Sequence, residues 1–266
     1  MRVTILASLL GMGLAASLAL ADDVAGLPSA EAVIERFAAR ARAAAADEGR
    51  QVMVYRRTTL IEDLEAKDAR ERRQMREHAV TNKAGVVRAR LVRIDDREPS
   101  DAEVAADARK EGDARRETTR RRRGPDFVDE ALIRKFEYVL EGEEVVGGRR
   151  TFRLAYKARA SGGGTEKNID RFLLLVGGRI WIDAEEFELV RASAGLREPL
   201  RILGGFAASI TRLDFEVTRR PVAPGCWCNV LLTSRAEGRR LLSGFNVRLE
   251  VEQADFKVTP LTPASP

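Results

Sequence analysis

Apolar and charged residues alternate with a period of two through most of the second half of the chain, and this pattern restricts the fold more than any other feature. Phe215, for example, stands between Asp214 and Glu216. The same alternation runs through four segments, residues 135–141, 152–157, 212–217 and 245–252. Such a pattern predicts antiparallel strands with one solvated and one buried face. Glycine pairs at 147–148 and 177–178 predict two of the turns.

Each buried strand face has to be covered, and the sequence offers an N-terminal helix and a polar segment for this purpose. Ser29 is a suitable N-cap for an alanine-rich helix that ends around residues 47–49. Ser100 and Glu103 match a capping box at the start of a second, polar segment, for which we expect a polar helix or an extended excursion. We therefore predict a mainly β protein with helices (α+β), built as a strongly curved antiparallel sheet that forms an unclosed half-barrel with a helical lid. A sandwich of two sheets is the alternative.

The first 21 residues have the organisation of a secretory signal peptide. Arg2 supplies a positive charge, residues 3–18 carry none, and Ala19-Leu20-Ala21 ends the segment with the small residues that a signal peptidase requires. We therefore predict cleavage after Ala21 and a periplasmic location. The predicted organisation is a signal peptide at 1–21, a single domain at 22–258 and a disordered tail at 259–266.

The positive charge of the chain is concentrated in one segment. The formal net charge is +5, from 46 basic and 41 acidic residues, and residues 109–123 alone hold eight of the basic and three of the acidic ones. This distribution predicts a balanced domain with one polar, basic excursion at about 99–125. Nucleic acid is not an expected partner, because no aromatic residues interleave with the basic run. The expected contacts for anionic headgroups are Arg120, Arg121, Arg122 and Arg123, with a solvated loop as the alternative.

The residue types of catalytic and metal sites form no recognisable pattern in this sequence. His78 is the single histidine, and its charged surroundings predict a position on the surface. A Gly-x-Ser-x-Gly motif is absent, and the glycine-rich stretch 162–167 lacks the ending of a phosphate loop. On an extended strand the Cα atoms of Cys226 and Cys228 would lie near the upper distance limit for a disulfide, so we expect free thiols, with a tight bridge at the turn as the alternative. We predict no catalytic residue, no metal and no cofactor.

One hairpin resembles a known family. In the stretch from Gly178 to Arg191, a strand ends in Trp181-Ile182-Asp183, turns tightly and leads into a second strand that reaches a basic residue. This arrangement resembles a hairpin of outer-membrane lipoprotein-sorting proteins, the LolA/LolB-like lipoprotein carriers. The strand pair around residues 147–154 and the closing strands from Gly225 to Phe256 resemble the same family.

The resemblance implies a sheet and lid that enclose an apolar cavity, which relatives use to carry lipids or the acyl chains of lipoproteins. We therefore expect a periplasmic, non-enzymatic carrier or binding protein for a lipid or a lipidated partner. We expect a monomer that makes a peripheral contact with an anionic membrane surface. The aromatic residues expected to line the cavity are Phe136, Tyr138, Phe152, Tyr156, Trp181, Phe215 and Phe245. The alternative is an envelope regulatory or scaffold protein that binds another protein through the sheet edge or the basic excursion.

Overall fold

A computed structural model describes residues 26–48, 50–66, 68, 72–120, 133–159, 174–202, 208–241 and 243–261. The helices are α1 (Ala30–Glu48) and α2 (Asp101–Arg120). The strands are β1 (Gln51–Asp63), β2 (Arg73–Lys83), β3 (Val86–Ile94), β4 (Phe136–Val146), β5 (Arg149–Ala158), β6 (Val176–Asp183), β7 (Leu189–Leu196), β8 (Leu200–Ile202), β9 (Ala208–Ala223), β10 (Cys226–Arg240) and β11 (Ser243–Pro260).

All eleven strands belong to one antiparallel sheet. Its order is β3-β2-β1-β11-β10-β9-β7-β6-β5-β4, and β8 pairs with β9 beside this path. Within the described residues β3 and β4 do not pair with each other, so the sheet stays open and has two edges. The fold is the predicted one, an unclosed, curved antiparallel half-barrel, with two helices among the described residues.

Helix α1 begins where its capping residue predicts. The backbone N–H of Ala32 donates to Ser29 Oγ over 3.2 Å, which satisfies one of the free N–H groups of the first turn. On the apolar side of the helix, Val33 is 0% and Phe37 2% exposed, and Ile34 is half-buried. Since the other buried residues on this side are alanines, the helix axis can approach the sheet closely.

Helix α2 begins with the predicted capping box. Glu103 Oε2 accepts a hydrogen bond from the backbone N–H of Ser100 at 2.8 Å, and the N–H of Glu103 lies 3.4 Å from Ser100 Oγ. Arg97 donates to the same carboxylate at 2.6 Å. The hydrogen bond from Arg97, followed by those from Ser100, lowers the pKa of Glu103 to about 2. The first part of the basic excursion is therefore a helix that extends to Arg120.

The two glycine pairs have different roles, although the sequence predicts a turn for both. Gly147 and Gly148 have positive φ angles of 58° and 80° and form the β4–β5 turn. Gly177 and Gly178 instead lie inside β6. A Cβ atom on Gly178 would lie 1.9 Å from the carbonyl oxygen of Ser193 on β7. The second pair thus allows two strands to approach each other, and the turn predicted there is wrong.

The last strand extends further than expected. Thr259 and Pro260, which the sequence analysis assigns to a tail, belong to β11 and lie opposite Val52 and Gln51 of β1. Pairing with the first strand therefore orders these two residues.

The main core lies between α1 and one face of β4–β9. Val33, Phe37, Ala38 and Ala41 of the helix form a buried cluster with residues of the sheet, among them Leu154, Ile182 and Val217. Asp107 of α2 contacts His78 of β2 on the same face of the sheet. We call this helix-bearing face the concave face and the opposite one the convex face.

Candidate functional site

Two rows of residues cross the concave face from the region of α1 to that of α2. Directly opposed residues on neighbouring antiparallel strands project from the same face, so the strand pairing defines each row. The first row consists of Ala192, Val217, Leu232, Val251, Thr59 and Arg76. The second consists of Ala194, Phe215, Ser234, Leu249, Ile61 and Gln74. Both rows are apolar at the α1 side and polar at the α2 side.

Five of the aromatic residues expected to line a cavity lie where α1 covers the concave face. Phe152 is 5% exposed within the cluster of α1, and Tyr138, Tyr156 and Phe215 pack against that cluster. Phe136 is 7% exposed, and its ring meets that of Tyr156 edge to face at 5.0 Å. These side chains are therefore part of the packed core beneath the helix.

Both tyrosine hydroxyls in this region have partners. Tyr138 donates to the carbonyl of Ile133 at 3.0 Å and Tyr156 to that of Ser193 at 3.1 Å. Burial raises the pKa of Tyr138 well above its ordinary value and that of Tyr156 to about 12. Both hydroxyls thus stay neutral at physiological pH and act as structural hydrogen-bond donors.

The other two predicted aromatic residues lie elsewhere. Phe245 is half-buried on the concave face, opposite Gly238 and outside the cluster of α1. Trp181 lies opposite Arg153 and Arg191 and therefore projects from the convex face. Its indole N–H donates to Glu144 at 2.9 Å, and the guanidinium of Arg191 lies 5.0 Å from its ring centroid. The expectation that Trp181 lines a concave cavity is corrected here, because its ring packs in a layer of charged side chains.

Between the two helices, the concave face carries apolar side chains that are less buried than those beneath α1. In the rows above, Leu232, Leu249 and Val251 are half-buried and Ile61 is 41% exposed, whereas Val217 is 0% exposed. Val247 continues the same surface along β11 and is also half-buried. We call these residues of β1, β10 and β11 (Ile61, Leu232, Val247, Leu249 and Val251) the central strip.

Helix α2 makes polar contacts with β2, and these contacts enclose the histidine. His78 is 4% exposed, and its Nε2 lies 3.0 Å from Oδ2 of Asp107, which is itself 7% exposed. Arg76 donates from Nη1 to the other oxygen of Asp107 at 3.3 Å. The surface position predicted for His78 is therefore wrong, because a carboxylate 29 residues away in sequence covers it.

Beside this buried pair, a cleft of about 280 Å³ opens between α2 and the strands. Its lining residues are Gln74, Arg76, Leu91, Ile94, Asp95, Glu103, Ala106, Asp107 and Lys110. No sequence motif indicates this cleft, since its residues come from β2, β3, the turn after β3 and α2.

The turn that carries the recognised hairpin motif is held by a buried carboxylate. Asp183 is 1% exposed, and its Oδ1 accepts hydrogen bonds from the backbone N–H groups of Glu185 and Glu186 at 3.0 and 2.7 Å. Arg149 donates from Nε to its Oδ2 at 2.6 Å. Burial acts to raise the pKa of Asp183, but these hydrogen bonds outweigh it, so the pKa lies below the ordinary 3.8. The motif thus fixes the β6–β7 turn.

A second buried carboxylate joins α1 to the same end of the sheet. Glu188 is 2% exposed, with Arg40 Nε of α1 at 2.8 Å and Arg219 Nη1 of β9 at 3.1 Å from its oxygens. Burial raises the pKa of Glu188 against the opposite effect of the two guanidinium groups. Arg40 also donates to the carbonyl of Gly225 at 2.8 Å, so two contacts of this one side chain fix α1 over the sheet. The sequence did not point to Glu188, because no motif around it distinguishes it from the other acidic residues.

The remaining predicted groups are placed as follows. Arg120 ends α2, and Arg121, Arg122 and Arg123 lie outside the described residues. Cys226 and Cys228 are not bridged, and Cys228 is buried with its Sγ 3.3 Å from Met53 Sδ. Among the described residues, no cluster of histidine, cysteine and acidic side chains has the arrangement of a metal site. No helix in the described ranges is long and apolar enough to cross a membrane.

The chain was compared with known proteins at the levels of sequence and structure. No protein-family model and no curated protein matches the sequence. Among solved structures, it is similar to a DUF1329 family protein from Desulfovibrio piger, with 11% identity, a TM-score of 0.37, and coverage of 90% of this chain and 96% of the other.

Two further similar structures are described as lipoprotein-sorting or LolA-superfamily proteins. An outer membrane lipoprotein-sorting protein domain from Vibrio parahaemolyticus shows 12% identity, a TM-score of 0.33, and coverage of 87% of this chain and 93% of the other. A LolA superfamily protein from Nitrosomonas europaea shows 12% identity, a TM-score of 0.30, and coverage of 89% and 96%. At 11–12% identity these likenesses concern the fold alone.

Proposed function

We propose that this chain is a non-enzymatic binding or carrier protein for a lipid or a lipidated partner, with an acyl chain lying along the central strip. The change in burial along each row of the concave face supports this most directly. Val217 is 0% exposed beneath α1, whereas Ile61 on the central strip is 41% exposed. A contiguous apolar surface that stays partly exposed is typical of a binding site.

The size of the central strip suits an acyl chain. From Val247 to Val251 it extends for about 14 Å along β11, at about 3.4 Å per residue. Burying about eight methylene groups there contributes about 6 kcal/mol at about 0.8 kcal/mol each. Before the costs of association, this corresponds to binding in the tens of micromolar. Chain burial alone therefore supplies a useful affinity.

Two matched substitutions on β1 test this function. Ile61 and Val54 are both 41% exposed, and they project from the concave and the convex face respectively. We expect Ile61→Asp to weaken uptake of a neutral fluorescent acyl probe about tenfold or more, because the chain would have to pass a charge. Val54→Asp should change the affinity less than twofold.

Both variants should keep the circular dichroism spectrum of the wild type. Wild-type protein that takes up no probe would contradict the proposal, and so would an equal loss of affinity in the two variants.

A second candidate function, a scaffold that binds another protein, is favoured by the β3 edge. Within the described residues β3 pairs only with β2, and its Val86 is 52% exposed. Such an edge can accept an added strand from a partner. Capture of an extended peptide by wild type but not by an Arg88→Pro variant, together with no probe uptake, would favour the scaffold.

We further propose that the chain is exported and cleaved after Ala21. The mass of the exported protein should correspond to a chain that begins at Asp22, and a chain that still begins at Met1 would contradict export by this route. We also propose that Arg120 to Arg123 contact anionic membrane surfaces. Replacing all four by glutamine should weaken binding to anionic liposomes and flatten its salt dependence, while uptake of a neutral probe stays unchanged.

A further inference from the structure

We infer that the cleft between α2 and strands β2 and β3 binds the anionic head, a carboxylate or a phosphate, of an amphiphile whose chain lies on the central strip. This inference rests on the proposed function and deepens it, since it names the class of ligand. It also places the head on residues other than the arginine run.

The cleft adjoins the central strip directly. Gln74 and Arg76 line the cleft, and they lie opposite Ile61 and Thr59 of β1 in the two rows of the concave face. Neighbouring strands are about 4.8 Å apart, so a chain that leaves the strip across β1 reaches the cleft within one strand spacing. Apolar surface and cleft thus form one continuous path.

All three acidic residues of the cleft are engaged by other groups of the chain. Asp95 Oδ1 accepts the backbone N–H of Met75 at 2.7 Å. Glu103 is held by Ser100 and Arg97 in the capping box. These two carboxylates are therefore poorly placed to take up a cationic ligand.

Asp107, the third acidic residue of the cleft, is fixed from two sides. His78 lies 3.0 Å from its Oδ2 and Arg76 lies 3.3 Å from its Oδ1. His78 and Asp107 are both buried, so this contact fixes α2 and the wall of the cleft that it forms. His78 thus acts as a positioning residue.

The hydrogen-bond donors of the cleft are available, in contrast to its acceptors. Within the described part of the chain, Lys110 Nζ and the Gln74 amide have no hydrogen-bond or ion-pair partner. Arg76 uses only Nη1, toward Asp107, of a guanidinium that carries five N–H donors. Carboxylate and phosphate oxygens are the acceptors that such a set of donors prefers.

The apolar lining and the volume indicate what part of the ligand enters. Leu91, Ile94 and Ala106 supply apolar surface beside the donors. A volume of about 280 Å³ is below the range of about 300–1,000 Å³ that is typical of sites for whole small molecules. The cleft therefore suits a head and its first methylene groups, while the rest of the chain extends onto the central strip.

Charge balance decides how the head is recognised. Arg76, Arg97 and Lys110 offset Asp95, Glu103 and Asp107, so the formal charges around the cleft sum to zero. Long-range attraction is then weak, and short-range hydrogen bonds provide the selectivity. We expect the preference for an anionic head to change little with salt, in contrast to membrane contacts of the arginine run.

The test measures displacement of a neutral acyl probe by dodecanoate, dodecyl phosphate and dodecanol, three ligands with the same chain. We expect wild type to bind the better of the two anions about tenfold more tightly than the alcohol, the effect of one hydrogen bond to a charged group. Lys110→Gln should reduce this ratio to about threefold or less without changing the affinity for dodecanol. The order of dodecanoate and dodecyl phosphate identifies the source, a fatty acid or a phospholipid head.

Matched variants on α2 test the position of the head. Ala106 lines the cleft, whereas its neighbour Ala105 is exposed. Ala106→Phe should fill the cleft and abolish the preference for the anion, while Ala105→Phe and Arg109→Gln should leave it unchanged. Thermal unfolding of each variant confirms that α2 and the sheet remain folded.

The outcomes separate this inference from the proposed function. If wild type binds dodecanol as tightly as both anions, or if Ala105→Phe and Ala106→Phe act alike, the head site is wrong while chain binding stands. If the probe itself does not bind to wild type, the proposed function fails as well.

Discussion

The Leu154→Ala substitution tests whether α1 and the sheet share one tightly packed core. Leu154 on β5 is 0% exposed, lies opposite Leu140 and Ile180, and belongs to the buried cluster of α1. Removing three carbon atoms loses about 2.4 kcal/mol of burial free energy at about 0.8 kcal/mol each. If a cavity of about 60 Å³ remains, it adds about 1.4 kcal/mol. The free energy of unfolding should therefore fall by about 2.5–4 kcal/mol.

Urea unfolding followed by circular dichroism and tryptophan fluorescence measures this change. The control is Val139→Ala on β4, because Val139 projects from the convex face and is 63% exposed. Its effect should stay within about 0.5 kcal/mol. A loss below about 1 kcal/mol for Leu154→Ala, at an unchanged slope against urea, would refute the packing of α1 on this part of the sheet. Equal losses at the two positions would refute the assignment of the two faces.

Three further substitutions address groups that the tertiary structure brought into focus. The pKa of Asp183 is lower in the folded chain than its ordinary value of 3.8. The charged carboxylate therefore stabilises the fold at pH values above 3.8, and this stabilisation is lost as the pH falls through the lower pKa of the folded state. Asp183→Asn should therefore flatten the dependence of unfolding free energy on pH in that acidic window. His78→Ala should cost about 1–3 kcal/mol in urea unfolding, because it leaves buried Asp107 with one partner fewer, while exposed Thr81→Ala should stay within about 0.5 kcal/mol. Gly178→Ala should lower the melting temperature far more than Gly177→Ala. The nearest atom would lie 1.9 Å from the added Cβ at position 178 and 3.1 Å from it at position 177. Equal melting temperatures of the two variants would show that β6 and β7 are further apart than described.

Local patterns predicted the secondary structure and the class of fold. The alternation around Phe215 indicates which residues face the core, because side chains of a strand point to opposite faces in turn. Ser29 and Ser100 mark the two helix starts, because an N-cap acts within one turn of the helix. The turn of the hairpin from Gly178 to Arg191 is also local, because Asp183 forms it with backbone groups two and three residues away.

Predictions from local patterns were wrong where neighbouring residues do not differ in polarity or composition. Trp181 stands between Ile180 and Ile182, so three apolar residues in succession leave the buried face undecided. Only the pairing of Trp181 with Arg153 and Arg191 shows that it projects from the convex face. The two glycine pairs likewise share a composition, and strand contacts alone distinguish a turn from a close approach.

What the sequence by itself determined is a two-faced antiparallel sheet, a capped first helix and a capping box at the start of a polar segment, since each of these depends on residues within a few positions of one another. Only the tertiary structure decided which part of the concave face each helix covers. Helix α1 fills the region of Phe152 and Tyr156 with its own side chains, and α2 buries His78 by bringing Asp107 over it. The proposed site lies on the central strip and in the cleft beside it, where residues that are far apart in the chain meet, so no local pattern of the sequence indicates it.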